Sequence, residues 1–148
     1  MTLSGDLSRM STVFIDTAPI IYFIEAHPQM GPLAKELITI AQSGNVIAFS
    51  SVITITEVLS KPFESGDVNL AKKFAEFLTC GKNLTIIEIS ESIAEAAAKL
   101  RGHYPSLKTI DALQVSTSMN LGADAFITND KKLKQIKEIK VLLLSDYL

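Results

Sequence analysis

The stretch STVFIDTAPIIYFIE, from Ser11 to Glu25, decides the fold that we predict for this chain. Its first apolar run ends at Asp16, and a second apolar run begins after Thr17 and Pro19. A continuous apolar run is typical of a buried parallel strand, and a polar cap followed by an early proline is typical of a helix start. Asp16 therefore falls at the carboxyl end of a strand, where open α/β sheets place their ligand sites. The residue could equally be a simple helix cap, and this stretch alone leaves both interpretations open.

The composition is that of a globular domain, because 47% of the 148 residues are hydrophobic and 20% are charged, which excludes disorder. A net charge of −2 provides no bulk attraction to nucleic acid or to an anionic membrane, so any site for a polyanion has to be local. Cys80 is the single cysteine, which excludes an internal disulfide and fits a reducing cytoplasm. No apolar run approaches the length of a membrane span. We expect residues 1–11 to be a polar, loose tail and residues 12–148 to form one domain.

Short apolar runs alternate with helical patterns along the rest of the chain, and this alternation predicts βα units and a parallel sheet. We expect a turn at residues 81–83 and further strands at 46–49, 84–89, 125–128 and 140–144. The helices that we expect with clear limits are 90–104, 109–121 and 130–136, and another begins at 66–67. The fold class is therefore α/β, a three-layer α/β/α sandwich with a parallel five-stranded sheet.

The segment SVITIT, Ser51 to Thr56, is ambiguous from its residues alone. Its β-branched residues favour a strand, whereas Val52, Ile55 and Val58 also share one helical face. Pro62 is expected to end whichever element precedes it.

Several enzyme classes lack their motifs in this chain. No glycine-rich dinucleotide motif follows the first strand, and the chain has neither a phosphate-binding loop nor a G-x-S-x-G elbow, which argues against a nucleotide cofactor. A phosphatase or phosphotransferase that is phosphorylated on Asp16 would carry a second aspartate two residues later, where this chain has Ala18. A receiver domain would have an acidic pair at an earlier strand end, and none precedes Asp16.

Four acids follow or flank the predicted strands. Asp16 follows the first strand, and Glu57 lies a turn or two after the second. Asp111 begins the helix 109–121, and Asp130 comes after the fourth strand. Because the carboxyl ends of parallel strands meet at one edge of a sheet, we expect these side chains to converge.

Carboxylates that are held together repel one another, and a hard divalent cation relieves that repulsion. All-oxygen ligation suits Mg²⁺, with Mn²⁺ as a substitute, and such ions support phosphodiester hydrolysis by activating water. Each acid also has a simpler explanation, because Asp111 and Asp130 fall in helix first turns that favour acids and Glu57 could face solvent. The spacing alone leaves both interpretations open.

Four segments together resemble the PIN-domain family of metal-dependent ribonucleases, in particular the VapC-like toxins of type II toxin–antitoxin pairs. The segments are FIDTAPIIYFIE, SSVITITEVLSKP, TIDALQVSTSMNLGADAFITND and VLLL, and the resemblance runs from about Thr12 to the C-terminus. It implies the PIN fold, which is a Rossmann-like α/β/α sandwich. It also implies that residues 51–61 form a helix despite their β-branched side chains, since the family places its glutamate on a helix.

The resemblance assigns roles residue by residue. The four carboxylates of the family fall on Asp16, Glu57, Asp111 and Asp130, which are thereby implied to be the catalytic residues and the metal ligands, directly or through water. Thr128 matches a small hydroxyl residue at the family's metal and phosphate site, and Thr17 and Asn129 join it as candidates for substrate contact or for support of the ligands. The chain departs from many relatives at Leu133, where they have an aromatic residue.

The function implied by the resemblance is Mg²⁺-dependent endonucleolytic cleavage of single-stranded or structured RNA by metal-activated water, in the cytoplasm. The implied partners are the RNA substrate, a small antitoxin protein and a second copy of the chain in a homodimer, with no membrane. The cations available for RNA are few, and they flank the third and fourth acids: Arg101, His103, Lys108, Lys131, Lys132 and Lys134. A non-catalytic PIN-like binding module and a solitary RNA-processing nuclease remain as alternatives.

Overall fold

Five parallel strands form one sheet in the computed structural model of the protein, which describes residues 1–81 and 84–148. The strands are β1 (Thr12–Ile15), β2 (Ile47–Ser51), β3 (Leu84–Ile87), β4 (Ala125–Thr128) and β5 (Val141–Leu143). Their spatial order is β3-β2-β1-β4-β5, and every neighbouring pair is parallel. The predicted parallel five-stranded sheet is thus confirmed. Two residues of the turn expected at 81–83, Lys82 and Asn83, lie outside the described residues.

Helices cover both faces of the sheet. They are α1 (Leu3–Leu7), α2 (Thr17–Ile24), α3 (Gly31–Gln42), α4 (Val52–Glu64), α5 (Val68–Cys80), α6 (Glu91–His103) and α7 (Thr109–Leu121). Two 3₁₀ helices, Lys131–Gln135 and Leu144–Tyr147, flank β5. The basic segment that was expected to form a helix over 130–136 is the first of these. Within the described residues, no helix combines the length and the apolar character that crossing a membrane requires.

The alternation of side chains along β1 explains why both faces need cover. Val13 and Ile15 pack into a core shared with α1 to α5, while Phe14 points into a second core shared with α6 and α7. Phe14 stacks on Phe126 of β4 with ring centroids 5.3 Å apart, and the two residues are register partners. A strand that is buried on both faces reads as a continuous apolar run, which is the pattern VFI of the sequence.

Helix α4 resolves the ambiguous segment in favour of the helix. Ser51 caps it by accepting a hydrogen bond from the Ile53 backbone N–H, and Thr54 and Val58 face the interior one turn apart. Burial of this face outweighs the weak β preference of the branched residues, which spans only about 1 kcal/mol. The prediction that Pro62 ends the element is wrong, because Pro62 lies inside the last turn of α4 with its ring buried.

The N-terminal segment is not the loose tail that we expected. Thr2 caps α1, and Leu3 and Leu7 are fully buried in the core that contains α3. Tyr147 of the last 3₁₀ helix donates a 2.6 Å hydrogen bond to the Asp6 carboxylate and so joins the two ends of the chain. Two leucines four residues apart lie on one face of a helix, and burying that face orders the segment.

Candidate active site

The connections reverse direction between β1 and β4, and the candidate site lies there, at the carboxyl ends of the strands. Four elements supply the acids. Asp16 follows β1, Glu57 lies on α4, Asp111 is in the first turn of α7, and Asp130 follows β4. The Asp111 carboxylate interacts electrostatically with the other three, so the structure brings all four predicted acids to one region.

Asp16 is both a helix cap and a member of the acidic cluster. Its Oδ1 accepts a 2.9 Å hydrogen bond from the Thr17 backbone N–H, which caps α2, and its Oδ2 accepts a 2.8 Å hydrogen bond from the Thr128 hydroxyl. The structure therefore shows that Asp16 is a helix cap, one of the two interpretations that the sequence left open, and the same carboxylate lies among the acids. Burial raises the pKa of Asp16 most, and the Glu57 carboxylate raises it further, while the hydrogen bonds lower it.

Glu57 lies on the exposed side of α4, but its Oε1 accepts a hydrogen bond from the interior of the protein. The buried Thr17 hydroxyl donates to it over 2.6 Å, which links the start of α2 to the middle of α4. The sequence places these residues 40 positions apart, and the contact exists because α4 starts directly after β2, the neighbour of β1. Among the residues that the structure describes, no donor contacts the other carboxylate oxygen of Glu57.

Asp111 also has surroundings that disfavour its charged form. Partial burial, followed by the Asp16 and Asp130 carboxylates, raises its pKa to about 6 from 3.8, and only Lys108 opposes the shift among the charged neighbours. Within the described ranges 1–81 and 84–148, no hydrogen-bond donor reaches the Asp111 carboxylate. A positive charge placed beside this group would be stabilised by all of these acids.

Asp130 has the same double role as Asp16, because it caps the first 3₁₀ helix by accepting from the Lys132 backbone N–H over 3.0 Å. The fully buried Thr128 contacts both residues, the Asp16 side chain and the Asp130 backbone. Its hydroxyl donates to Asp16 Oδ2 and accepts from the Asp130 backbone N–H over 3.2 Å. Asn129 points elsewhere, since its amide donates to the Tyr22 hydroxyl and accepts from the Ser145 backbone N–H. Its assignment to the substrate stays a prediction.

A buried polar network beneath the acids was missed by the sequence analysis. Gln114 of α7 is 1% exposed, and its Nε2 donates to Thr54 Oγ1 over 3.0 Å and to Asp16 Oδ1 over 3.3 Å. Ser51 Oγ donates to Gln114 Oε1, and Thr54 Oγ1 lies 3.0 Å from Thr17 Oγ1. One signal was present in the sequence: Gln114 lies three residues after Asp111, on the same helical face, in an otherwise apolar or small-residue helix.

The donor set fits a divalent ion by its chemistry. It is all oxygen, and the Asp16 and Asp130 carboxylates each raise the pKa of Asp111 more than Lys108 lowers it. No three His, Cys, Asp or Glu side chains among the described residues lie together closely enough to hold an ion by themselves. Mg²⁺ is commonly held by one or two carboxylates together with several waters, so a site for it does not require three such side chains in contact.

The cations divide into those at the site and those bound elsewhere. Lys108, Lys131 and Lys132 line a cleft of about 480 Å³ together with Asp111 and Asp130. The other predicted cations have local partners: Arg101 donates to the Leu107 carbonyl, the His103 ring contacts the Lys99 carbonyl, and Lys134 pairs with Asp146 over 3.1 Å. Leu133, where many relatives are aromatic, is buried in the second core.

Comparison with known proteins agrees with the fold. A profile of the PIN domain matches residues 13–139. No curated protein sequence matches the chain.

Among solved structures, DNA-bound VapBC from Salmonella typhimurium has a TM-score of 0.73 at 16% identity, over 91% of this chain and 99% of that chain. VapBC2 from Rickettsia felis, bound to a promoter DNA fragment, has a TM-score of 0.70 at 21% identity, over 89% and 98%. The Mycobacterium tuberculosis VapC20, a toxin that cleaves the sarcin–ricin loop, has a TM-score of 0.66 at 15% identity, over 86% and 98%.

Proposed function

Because the chain belongs to the PIN domain family, we propose that it is a metal-dependent endoribonuclease and the toxin of a toxin–antitoxin pair. The observation that carries this proposal is the convergence of three other carboxylates on Asp111, whose pKa is raised to about 6 by burial and by these acidic neighbours. A cluster of acids that is costly to keep ionised is typical of a site that binds a cation. The relatives that share the fold include a toxin that cleaves RNA.

Asp16, Asp111, Asp130 and Glu57 would hold Mg²⁺, or Mn²⁺ as its substitute, directly or through water. When bound, the ion supplies an activated water and stabilises negative charge on the scissile phosphate. The chain itself orients the ligands. The Thr128 hydroxyl donates a hydrogen bond to Asp16 Oδ2, and the Thr17 hydroxyl donates one to Glu57 Oε1. The nearby lysines would bind the flanking phosphates of the RNA, which supply most of the affinity.

The decisive test is Asp111→Asn. The change keeps the size of the side chain and removes the charge that would hold the ion, so we expect a folded protein without metal-dependent cleavage of single-stranded RNA. Cleavage is followed with and without Mg²⁺, and circular dichroism reports the fold. Asp146→Asn, which removes an exposed acid outside the cluster, is the matched control and should cleave RNA as the original chain does.

Undiminished cleavage by Asp111→Asn would contradict the assignment of the site. Calorimetry with Mn²⁺ separates the enzyme from a non-catalytic binding module, because absence of binding at millimolar Mn²⁺ would favour the module.

The partner and the compartment follow from the same proposal. An antitoxin partner is supported by the VapBC complexes among the solved structures and by a groove of about 660 Å³ beside Glu57, which apolar side chains of α2, α4 and α5 line. A neighbouring reading frame that encodes a small DNA-binding protein would support the toxin, and its absence would favour a solitary RNA-processing nuclease. The homodimer and the cytoplasmic location stay predictions, and sedimentation of the purified chain tests the first.

A further inference from the structure

We infer that Gln114 is a positioning residue that orients two of the proposed metal ligands, Asp16 directly and Glu57 through two hydroxyl groups. The inference rests on the proposed function and adds to it a residue beneath the site. Gln114 lies 1% exposed on α7, one turn after Asp111, and faces the ends of β1 and β2. A glutamine at such a place is costly to bury unless all its polar atoms find partners.

The orientation of the Gln114 amide follows from its neighbours. An ionised carboxylate only accepts hydrogen bonds, so the amide nitrogen, and not the oxygen, has to face Asp16. The Ser51 hydroxyl donates to Gln114 Oε1 on the opposite side, while Ser51 Oγ accepts from the Ile53 backbone N–H. Ser51 thereby holds the amide in this orientation and caps α4 with the same oxygen.

The directions of the hydroxyl bonds are also determined. Thr17 has one hydroxyl proton, and Glu57 Oε1, 2.6 Å away, takes it. The 3.0 Å contact between Thr17 and Thr54 is therefore donated by Thr54. Thr54 Oγ1 accepts from Gln114 Nε2 over 3.0 Å and from the Ser50 hydroxyl over 2.8 Å. A single path of donors runs from the amide of Gln114 through Thr54 and Thr17 to the carboxylate of Glu57.

The amide thus joins acids from two different elements. Its second proton goes to Asp16 Oδ1 over 3.3 Å, and Asp16 follows β1 whereas Glu57 lies on α4. Groups that hold metal ligands in one orientation commonly change metal affinity by about 10-fold to 100-fold when they are removed. An apolar residue of the same length would fill the same space and leave both acids without this support.

The test compares Mn²⁺ affinity with stability in the metal-free protein. Gln114→Met keeps the volume and removes the amide, and we expect its Mn²⁺ dissociation constant in calorimetry to rise by about tenfold or more. Ser51→Ala keeps Gln114 and releases its carbonyl, and we expect a smaller change in the same direction. Ser116→Ala is the matched control, since Ser116 is equally buried on α7 but donates to the Ile93 carbonyl, away from the acids.

The outcomes separate this inference from the proposed function. Weaker Mn²⁺ binding by Gln114→Met and Ser51→Ala, with normal binding by Ser116→Ala, supports the positioning role, whatever the three variants lose in stability. Normal Mn²⁺ affinity in a folded Gln114→Met or, if that variant fails to fold, in Ser51→Ala overturns the inference while leaving the nuclease proposal intact. An original chain that binds no Mn²⁺ overturns both.

Discussion

The Asp111 side chain is partly buried and has three acidic neighbours. Its ionisation therefore lowers the free energy of unfolding of the metal-free protein. The pKa is about 6 in the folded chain and 3.8 by reference, which means that the folded state binds the proton more tightly. The stabilisation that goes with this proton is complete below about pH 3.8 and is lost as the pH rises through 6. Asp16, whose pKa is also raised, acts in the same direction.

We therefore predict that Asp111→Asn stabilises the metal-free protein at pH 7.5 and that this gain shrinks as the pH is lowered towards 4.5. The asparagine carries no charge at either pH, whereas the aspartate of the folded chain is largely ionised at pH 7.5 and largely protonated at pH 4.5. Thermal unfolding in the presence of EDTA measures the effect, and Asp146→Asn should give no comparable gain. A variant that is less stable than the original chain at pH 7.5 would contradict the electrostatic account.

At the scale of elements, the short helix α1 belongs to the core and not to a tail. Its two inward leucines are 2% and 0% exposed, and the contact of Asp6 with Tyr147 ties the helix to the last 3₁₀ helix. A sequence pattern of two leucines within ten residues is too short to distinguish an amphipathic turn from a polar tail. Only packing against α3 makes this segment a helix.

Removal of residues 1–9, which leaves Met10 as the first residue, should lower the free energy of unfolding by about 3–6 kcal/mol, since burial of each leucine contributes about 1.5–3 kcal/mol. Urea unfolding measures the loss. Leu7→Ala alone should cost about 2–5 kcal/mol, and Ser4→Ala, on the exposed side of the same helix, serves as the control. An unchanged unfolding midpoint after the truncation would show that α1 contributes nothing to the fold.

At the scale of the whole molecule, local charge has to compensate for the unfavourable net charge of −2. Lys108, Lys131 and Lys132 meet in one cleft although the first lies more than twenty residues before the others. They are exposed cations next to Asp111 and Asp130, and the proposed ribonuclease would use them to contact the phosphates of its RNA.

Replacement of Lys108, Lys131 and Lys132 together by alanine should weaken binding of single-stranded RNA and reduce the salt dependence of the dissociation constant. Each lost phosphate contact lowers the logarithmic slope by about 0.7, so the triple variant should lose about two. Binding is measured between low and moderate salt in the Asp111→Asn background, where we expect no cleavage. Lys134→Ala removes a cation that already pairs with Asp146 and should leave the slope unchanged.

The sequence by itself predicted the layers of the fold and the convergence of the four acids at one edge of the sheet, because both follow from where apolar runs begin and end. Apolar runs such as VFI, buried on two faces, alternate with helical periodicity. Asp16 stands directly after such a run, and Asp130 lies two residues after the end of β4. Helix α7 was predicted with both of its ends, since a glycine at a left-handed C-cap, Gly122, stops it. The helical identity of α4 came from the resemblance to a family, not from propensity.

Only the tertiary structure decided how those acids are held. The contacts of Asp16 with Thr128 and with Gln114 each join residues about a hundred positions apart, and no local pattern encodes such pairs. The same holds for the burial of Leu3 and Leu7. A cap, a buried glutamine and an ordered N-terminus are outcomes of packing, because a polar atom or a short helix is stable only when the rest of the chain supplies its partners.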